Sequence, residues 1–347
     1  MNYSSKTAPI LVTGATGYLA SHIIKLLLEQ GHHVRGTVRS LKNKDKYQFL
    51  YDLVPEKKEN LEFAEADLLD TEKWNAAVSG VERILHVASP FPIETPRDEN
   101  ELIKPAVEGT LNVLNAALRN NVKKVVITSS LAAILYGNEG KVVGPQDWSN
   151  EASCSAYSKS KLRAEKAAWD FWEKNKEKID IATVNPGFIL GPVLTASNGS
   201  SEQLVRDFLS GAVPGVPKIN LCVADVRDVA DCHIKALFAS NSSGKRYLCS
   251  GGSLWMSDIT AILKEEFKQY GYKVPTFTIG KCLMTIAGIF DKRVRDAVYE
   301  VGHERKADSS LSVEELGVKY RPFKETVVEM GYSLIKVGSV VDKINKK

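Results

Sequence analysis

Apolar and polar positions alternate between two rhythms along the first half of the chain. Short β-branched runs are each followed by stretches with apolar residues at helical spacing. Ile10 to Thr13 predicts a first strand, broken at Gly14 and Gly17. Tyr18 to Gln30 then repeats Leu19, Ile23, Leu26 and Leu27, a helix that Gly31 stops. His33 to Val38 and Leu61 to Ala66 predict the second and third strands, and Thr71 to Val78 a second helix. Ile84 to Ala88 is a fourth strand. Glu99 to Arg119 has helical spacing but contains Pro105 and Gly109, so a kink or break is expected. Val125 to Thr128, a helix over Tyr157 to Asn175, and Ile179 to Val184 complete the series, closed by Asn185-Pro186-Gly187.

Strict β/α alternation with continuous apolar strands predicts an α/β fold: a Rossmann-like, doubly wound parallel sheet covered on both faces. After Gly191 the rhythm changes. Ala196 to Gln203 is polar, and Gly211 to Pro217 holds two prolines and two glycines. The expected division is a nucleotide-binding domain over 1–191, with about 219–250 returning to it. A smaller substrate-binding region would be drawn from 192–218 and 251–347.

Composition narrows the classes. Hydrophobic residues make up 44% and charged residues 25% of 347, which excludes a disordered or collagen-like chain. A net charge of +4 gives no general case for nucleic-acid binding. The five cysteines are scattered without a CxxC pair and no HExxH occurs, so no metal site is expected. No apolar run approaches the ~20 residues of a membrane helix. The N-terminal segment lacks an apolar signal core, so the sequons at Asn2, Asn198 and Asn241 are read as unused. The expected setting is cytoplasmic, without membrane attachment.

Candidate chemistry lies at strand ends. The first turn reads Thr13-Gly14-Ala15-Thr16-Gly17-Tyr18-Leu19-Ala20. Between the first strand and helix of a βαβ series, such a turn suits a pyrophosphate, because glycines permit close approach and the helix N–H groups attract an anion. An ordinary tight turn would look alike but would not need that context. The second strand ends in Val38-Arg39-Ser40 with Lys42, Lys44 and Lys46 following, where an acidic residue would favour NAD. A guanidinium there suits a 2′-phosphate. A solvated basic loop is the alternative. Asp67 either accepts from an adenine amino group or caps the helix starting near Thr71.

Tyr157 and Lys161 stand four residues apart and share one helix face. A nearby ammonium, and a nicotinamide cation, would draw a phenol's pKa down from about 10 towards a useful proton carrier. The pair alone fits a surface packing contact equally well. Its position at the carboxyl edge of the sheet, where ligands of open α/β folds bind, favours chemistry. The fifth strand ends at Thr128-Ser129-Ser130 on that same edge. A serine hydroxyl there either supports charge on a substrate oxygen or serves the turn.

TGATGYLA, VASPF (Val87 to Phe91), TSS (Thr128 to Ser130), YSKSK and NPG (Asn185 to Gly187), in this order, resemble the extended short-chain dehydrogenase/reductase family. The nearer likeness is its branch of dihydroflavonol, cinnamoyl-CoA and yeast methylglyoxal (ketone) reductases. Leu162 to Glu173, Asp225 to Ala230 and Arg321 to Thr326 resemble that branch too. The resemblance implies NADP(H)-dependent reduction of an aldehyde or ketone to an alcohol. It implies Ser130, Tyr157 and Lys161 as the catalytic set. It places Gly14, Thr16, Gly17, Tyr18 and Leu19 at the pyrophosphate, Arg39 and Lys46 at the 2′-phosphate, and Asp67 and Leu68 at the adenine. Val87, Ala88, Ser89, Thr128, Tyr157, Lys161, Pro186, Gly187 and Phe188 fall around the nicotinamide and its ribose.

Two departures stand out. The NWYCY-type segment of cinnamoyl-CoA reductases is replaced by Ser153-Cys154-Ser155-Ala156-Tyr157, and TSS is followed by the bulky Leu131-Ala132-Ala133-Ile134-Leu135. The second feature is nearer the yeast reductases. Pocket walls are expected from Phe91, Leu131, Tyr136, Phe188 and residues after Gly191, which implies an apolar carbonyl substrate. A monomer or homodimer is expected. The alternatives are an NAD-linked nucleotide-sugar epimerase/dehydratase, a sterol dehydrogenase, and a non-catalytic dinucleotide-binding regulator.

Overall fold

The structure is a computed structural model that describes residues 8–90, 98–197, 199–289 and 292–345. Seven strands form the main sheet: β1 (Ile10–Val12), β2 (Val34–Val38), β3 (Leu61–Glu65), β4 (Arg83–His86), β5 (Lys124–Thr128), β6 (Asp180–Pro186) and, after two strands of a smaller sheet, β9 (Arg246–Cys249). All run parallel, in the order β9-β6-β5-β4-β1-β2-β3. The chain reverses its direction of travel across the sheet between β1 and β4, which opens a crevice at their carboxyl ends.

Period-two alternation sorts the strand residues onto two faces. Leu11, Ile84, Val125, Ile127 and Ile181 meet α2 (Thr71–Val78), α3 (Asn100–Arg119) and α4 (Ala156–Asn175). Ile10, Val12, Leu85, Val126, Ala182 and Val184 meet α1 (Tyr18–Glu29) and α6 (Val226–Phe238). The strands are apolar on both sides because both faces are covered.

Of the kink or break expected near Pro105, the break does not occur: α3 is one helix across it. Leu102, Ile103, Ala106, Gly109 and Val113 form one buried stripe spanning the proline, and that packing outweighs the single lost hydrogen bond. Gly109 has its own reason. A Cβ there would lie 3.0 Å from the Leu68 side chain.

Beyond β6, a second sheet contains β7 (Phe188–Leu190), β8 (Asn220–Asp225) and β10 (Gly252–Trp255). In it β8 pairs parallel with β7 and antiparallel with β10. Three helices pack into a separate core with it: α5 (Ser200–Ser210), α7 (Met256–Phe267) and α8 (Phe323–Lys336), through Phe208, Leu263, Phe267, Met330 and Leu334. Within the stretch 219–250, β9 joins the main sheet and α6 covers it, whereas β8 belongs to the smaller sheet. No described helix is long and apolar enough to cross a membrane.

Candidate active site

The loop between β1 and α1 is shaped by backbone. Gly14 has φ +68°, and a Cβ on it would lie 3.1 Å from Ala88 Cβ. Its N–H donates to Thr37 Oγ1 at 3.0 Å. Gly17 occupies the N-cap of α1, and no side chain caps that end. Nor is there an acid in the first turn, so the positive end of the helix stays available to an anion. Thr16 and Gly17 are exposed while Leu19 is buried. The Tyr18 hydroxyl is spent on Gly191 O at 2.6 Å, so this residue faces the turn with its backbone.

Thr13 is a hub that the sequence reading passed over. Its buried hydroxyl accepts from the N–H groups of Val87 (3.0 Å) and Ala88 (2.9 Å) and meets His86 Nδ1 at 2.9 Å. It ties the turn to the residues after β4, bringing Val87, Ala88 and Ser89 beside Gly14. Burial pushes His86 down to about 3, so its ring is neutral.

At the end of β2, Arg39 is exposed and makes no ion pair among the described residues, and Lys46 is exposed nearby. Asp67 is exposed after β3. It is not the cap of α2, which is Asp70, accepting from Lys73 N at 3.2 Å. Asp67 instead closes a local turn through Leu69 N at 3.1 Å. Leu68 packs against Gly109 behind it.

The strand-end serines separate by parity. Thr128 points to the α6 face, where its hydroxyl meets His233 Nε2 at 2.7 Å. Ser129 points to the α4 face and donates to Glu165. Ser130 caps a short 3₁₀ turn, accepting from Ala132 N at 3.0 Å, and its side chain hydrogen-bonds the Tyr157 phenol. Of the two serines, Ser130 therefore faces Tyr157.

Tyr157 sits in the first turn of α4, started by the Ser155 side chain accepting from Ser158 N. Burial pushes its phenol up, and the Ser130 hydrogen bond opposes that. Lys161 follows one turn later, with Nζ 6.0 Å from the Tyr157 ring centre. It is 8% exposed, and burial lowers its ammonium to about 8, opposed by the charge of Glu165. The ammonium still dominates at neutral pH.

Pro186 ends β6 and Phe188 opens β7. Between them Gly187 is obligatory, since a Cβ would lie 2.3 Å from Cys222 O. Two pocket-wall expectations change. Leu131 is 1% exposed, packed with Ala133, Ile134 and Leu162, so it is core rather than wall. Tyr136 carries a polar set: Arg305 stands 4.7 Å over its ring and is ion-paired to Glu300 at 2.6 Å. Phe91 lies outside the described residues. No group of three or more His, Cys, Asp or Glu that could hold a metal occurs among the described residues.

A buried-polar network behind the site was also missed. Glu165, Thr183, Asn185 and Arg246 meet beneath the middle of α4. A signal was present. Glu165 repeats the spacing of Tyr157 and Lys161 by a further four residues, on the stripe that holds buried Leu162 and Ala168.

Comparison with known proteins places the fold in a family. Residues 10–249 match the model of the NAD dependent epimerase/dehydratase family. The chain is 33% identical over 343 residues to a cinnamoyl-CoA reductase of Medicago truncatula, covering 96% of this chain and 98% of that one. It is 35% identical over 284 residues to an anthocyanidin reductase of Vitis vinifera, covering 76% and 82%. Among solved structures it resembles the yeast methylglyoxal/isovaleraldehyde reductase Gre2 complexed with NADPH. That match has a TM-score of 0.80 and 26% identity, covering 96% of this chain and 100% of that one. The chain belongs to the NAD dependent epimerase/dehydratase family, the extended short-chain dehydrogenases/reductases.

Proposed function

We propose that this oxidoreductase reduces an aldehyde or ketone to an alcohol with NADPH, and that Ser130, Tyr157 and Lys161 carry the chemistry. The observation that bears the reading is the meeting of the Ser130 hydroxyl with the Tyr157 phenol, one helical turn from a buried ammonium.

The residues present fit the cofactor. Gly14 and Gly17 leave a cradle that a Cβ would fill, the first turn of α1 is uncapped, and Arg39 is an exposed cation without a partner among the described residues. Arg39 would take the 2′-phosphate, with Lys46 adding charge. Asp67 and Leu68 would border the adenine, and Val87 to Ser89 with Pro186 to Phe188 the nicotinamide end. NADPH, when bound, supplies the hydride.

The protein's residues do the rest. Ser130 and Tyr157 hold the substrate oxygen between two hydroxyls. Tyr157 donates its proton to that oxygen as negative charge grows there. The phenol that burial holds high is protonated and ready to donate. The Lys161 ammonium stabilises the phenolate left behind and holds the ribose. An arginine rather than an acid at the end of β2 favours NADPH over NADH and sets this reading ahead of an NAD-linked epimerase.

The test is NADPH oxidation by purified protein with isovaleraldehyde, methylglyoxal and cinnamoyl-CoA as separate probes. Turnover is expected with a free carbonyl, and Tyr157→Phe should lose about 10²-fold or more in kcat. Tight NADPH binding without turnover of any probe, or a Tyr157→Phe loss under tenfold, would overturn the assignment.

A further inference from the structure

One turn beyond Lys161, the α4 stripe carries a carboxylate that the mechanism does not use. Glu165 is 2% exposed. Its two oxygens collect four donors: Ser129 Oγ, Trp169 Nε1 at 3.2 Å, Asn185 Nδ2 at 2.7 Å and Arg246 Nε at 2.6 Å, while Thr183 Oγ1 lies 3.4 Å away and donates to Asn185 Oδ1 at 2.8 Å. Those donors come from the end of β5, from α4 itself, from β6 and from β9. Arg246 is also fixed. It donates to Pro145 O at 2.6 Å and Asp147 O at 2.7 Å, with its guanidinium 3.8 Å over the Trp148 ring.

A buried ion pair of this kind gives little net stability, because desolvation offsets most of the attraction. Its placement is informative. Ser129 is the chain neighbour of Ser130, and Asn185 Nδ2, besides bonding Glu165, reaches Ser130 O at 3.4 Å. Tyr157 and Lys161 stand on the helix that carries Glu165. One carboxylate therefore grips both the strand end that presents Ser130 and the helix that presents Tyr157 and Lys161.

We infer that Glu165, held by Arg246, is a positioning residue: it sets the spacing of Ser130 to Tyr157 and places a buried carboxylate one helical turn from Lys161, in the pocket that Lys161 shares with His86. The His86 ring there is neutral. This rests on the Ser-Tyr-Lys reading above. A mainly structural strut would need the hydrogen bonds alone. A residue that also poises Lys161 must act through its charge, and the two separate experimentally.

The experiment measures kcat and KM for NADPH oxidation against pH, with isovaleraldehyde or whichever carbonyl probe the wild type turns over. It uses Glu165→Gln, Glu165→Asp, Ser129→Ala and Tyr157→Phe in the full chain. Glu165→Gln removes the charge and leaves Arg246 unopposed, so the fall in activity at high pH should move about one unit lower. Its kcat should drop tenfold or more, with a smaller change in the KM for NADPH. Glu165→Asp should return the high-pH limb to the wild-type position while kcat stays reduced. Ser129→Ala should lower kcat severalfold without moving the limb. An unmoved limb in Glu165→Gln overturns the inference, as does a wild-type kcat in Ser129→Ala. If Glu165→Gln does not fold, a limb in Glu165→Asp displaced from wild type, or an unreduced kcat in Ser129→Ala, overturns it. Wild-type turnover by Tyr157→Phe would sink the underlying reading instead. A silent Tyr157→Phe with an unmoved Glu165→Gln limb would sink only the inference.

Discussion

The two ends of the crevice are built from different materials. The nucleotide end is made of backbone and exposed charge: Gly14 at positive φ, an uncapped helix start, and Arg39, exposed and unpaired among the described residues. The reactive end is made of side chains on a buried bracing, with Ser130 and Tyr157 themselves half-buried. Ser130, Tyr157 and Lys161 are braced by Glu165, Asn185 and Arg246, and the last three and Lys161 are each less than a tenth exposed. Solvent and salt reach the first and are kept from Lys161 and the bracing of the second. A charge in the open loop is screened and replaceable by neighbours, whereas one in the α4 stripe is neither.

That contrast can be broken by substitution. Lys161→Met keeps the bulk of the side chain and removes its charge. It should reduce kcat/KM with a carbonyl probe by about 10²-fold or more, equally at low and high salt. A loss under tenfold would mean that the buried charge is not used. Arg39→Asp should raise the KM for NADPH about tenfold or more, with little change for NADH. Added salt should shrink the wild-type preference. Equal effects on both cofactors would reduce Arg39 to a loop charge.

Acidity sharpens the same difference. Burial holds Lys161 near 8, below the ordinary lysine value of 10.5. Its ammonium is lost as pH rises through about 8, so activity should fall several-fold between pH 7 and 9. Stability should move the other way. Between about 8 and 10.5 the unfolded chain holds a proton that the native state has released, so this group favours the native state more as pH rises. Thermal melts at pH 7 and 9 distinguish the two. A melt that collapses by pH 9 would assign the lost activity to unfolding. The smallest effect belongs to Lys46→Ala in the exposed loop. The KM for NADPH should change less than about threefold. A tenfold change would make the loop lysines as specific as Arg39.

Much of the fold was legible. The strands predicted at Leu61 to Ala66 and Val125 to Thr128 differ from β3 and β5 by one residue, because apolar runs buried on both faces leave few alternatives. The helix over Thr71 to Val78 has the expected bounds. Pro105 does not break α3, since a long buried stripe overrides the local chemistry that argues for a break. Leu131 misled in a related way. It follows the site serine in sequence but turns under it into the core. Asp67 was offered as a cap, and three residues of additional loop give that role to Asp70.

The sequence by itself determined the parallel β/α order, the glycine turn after the first strand, the basic end of the second, and the four-residue spacing of Tyr157 and Lys161. These are local patterns, carried by residues close together in the chain. Only the tertiary structure decided which strand-end serine faces the phenol, because that depends on side-chain parity at the end of β5 against the neighbouring helices. Only the folded chain brought Arg246 to Glu165 across 81 positions. Long-range pairing of buried charges leaves no periodic trace in a sequence, since the partner can come from any element that reaches the same buried space.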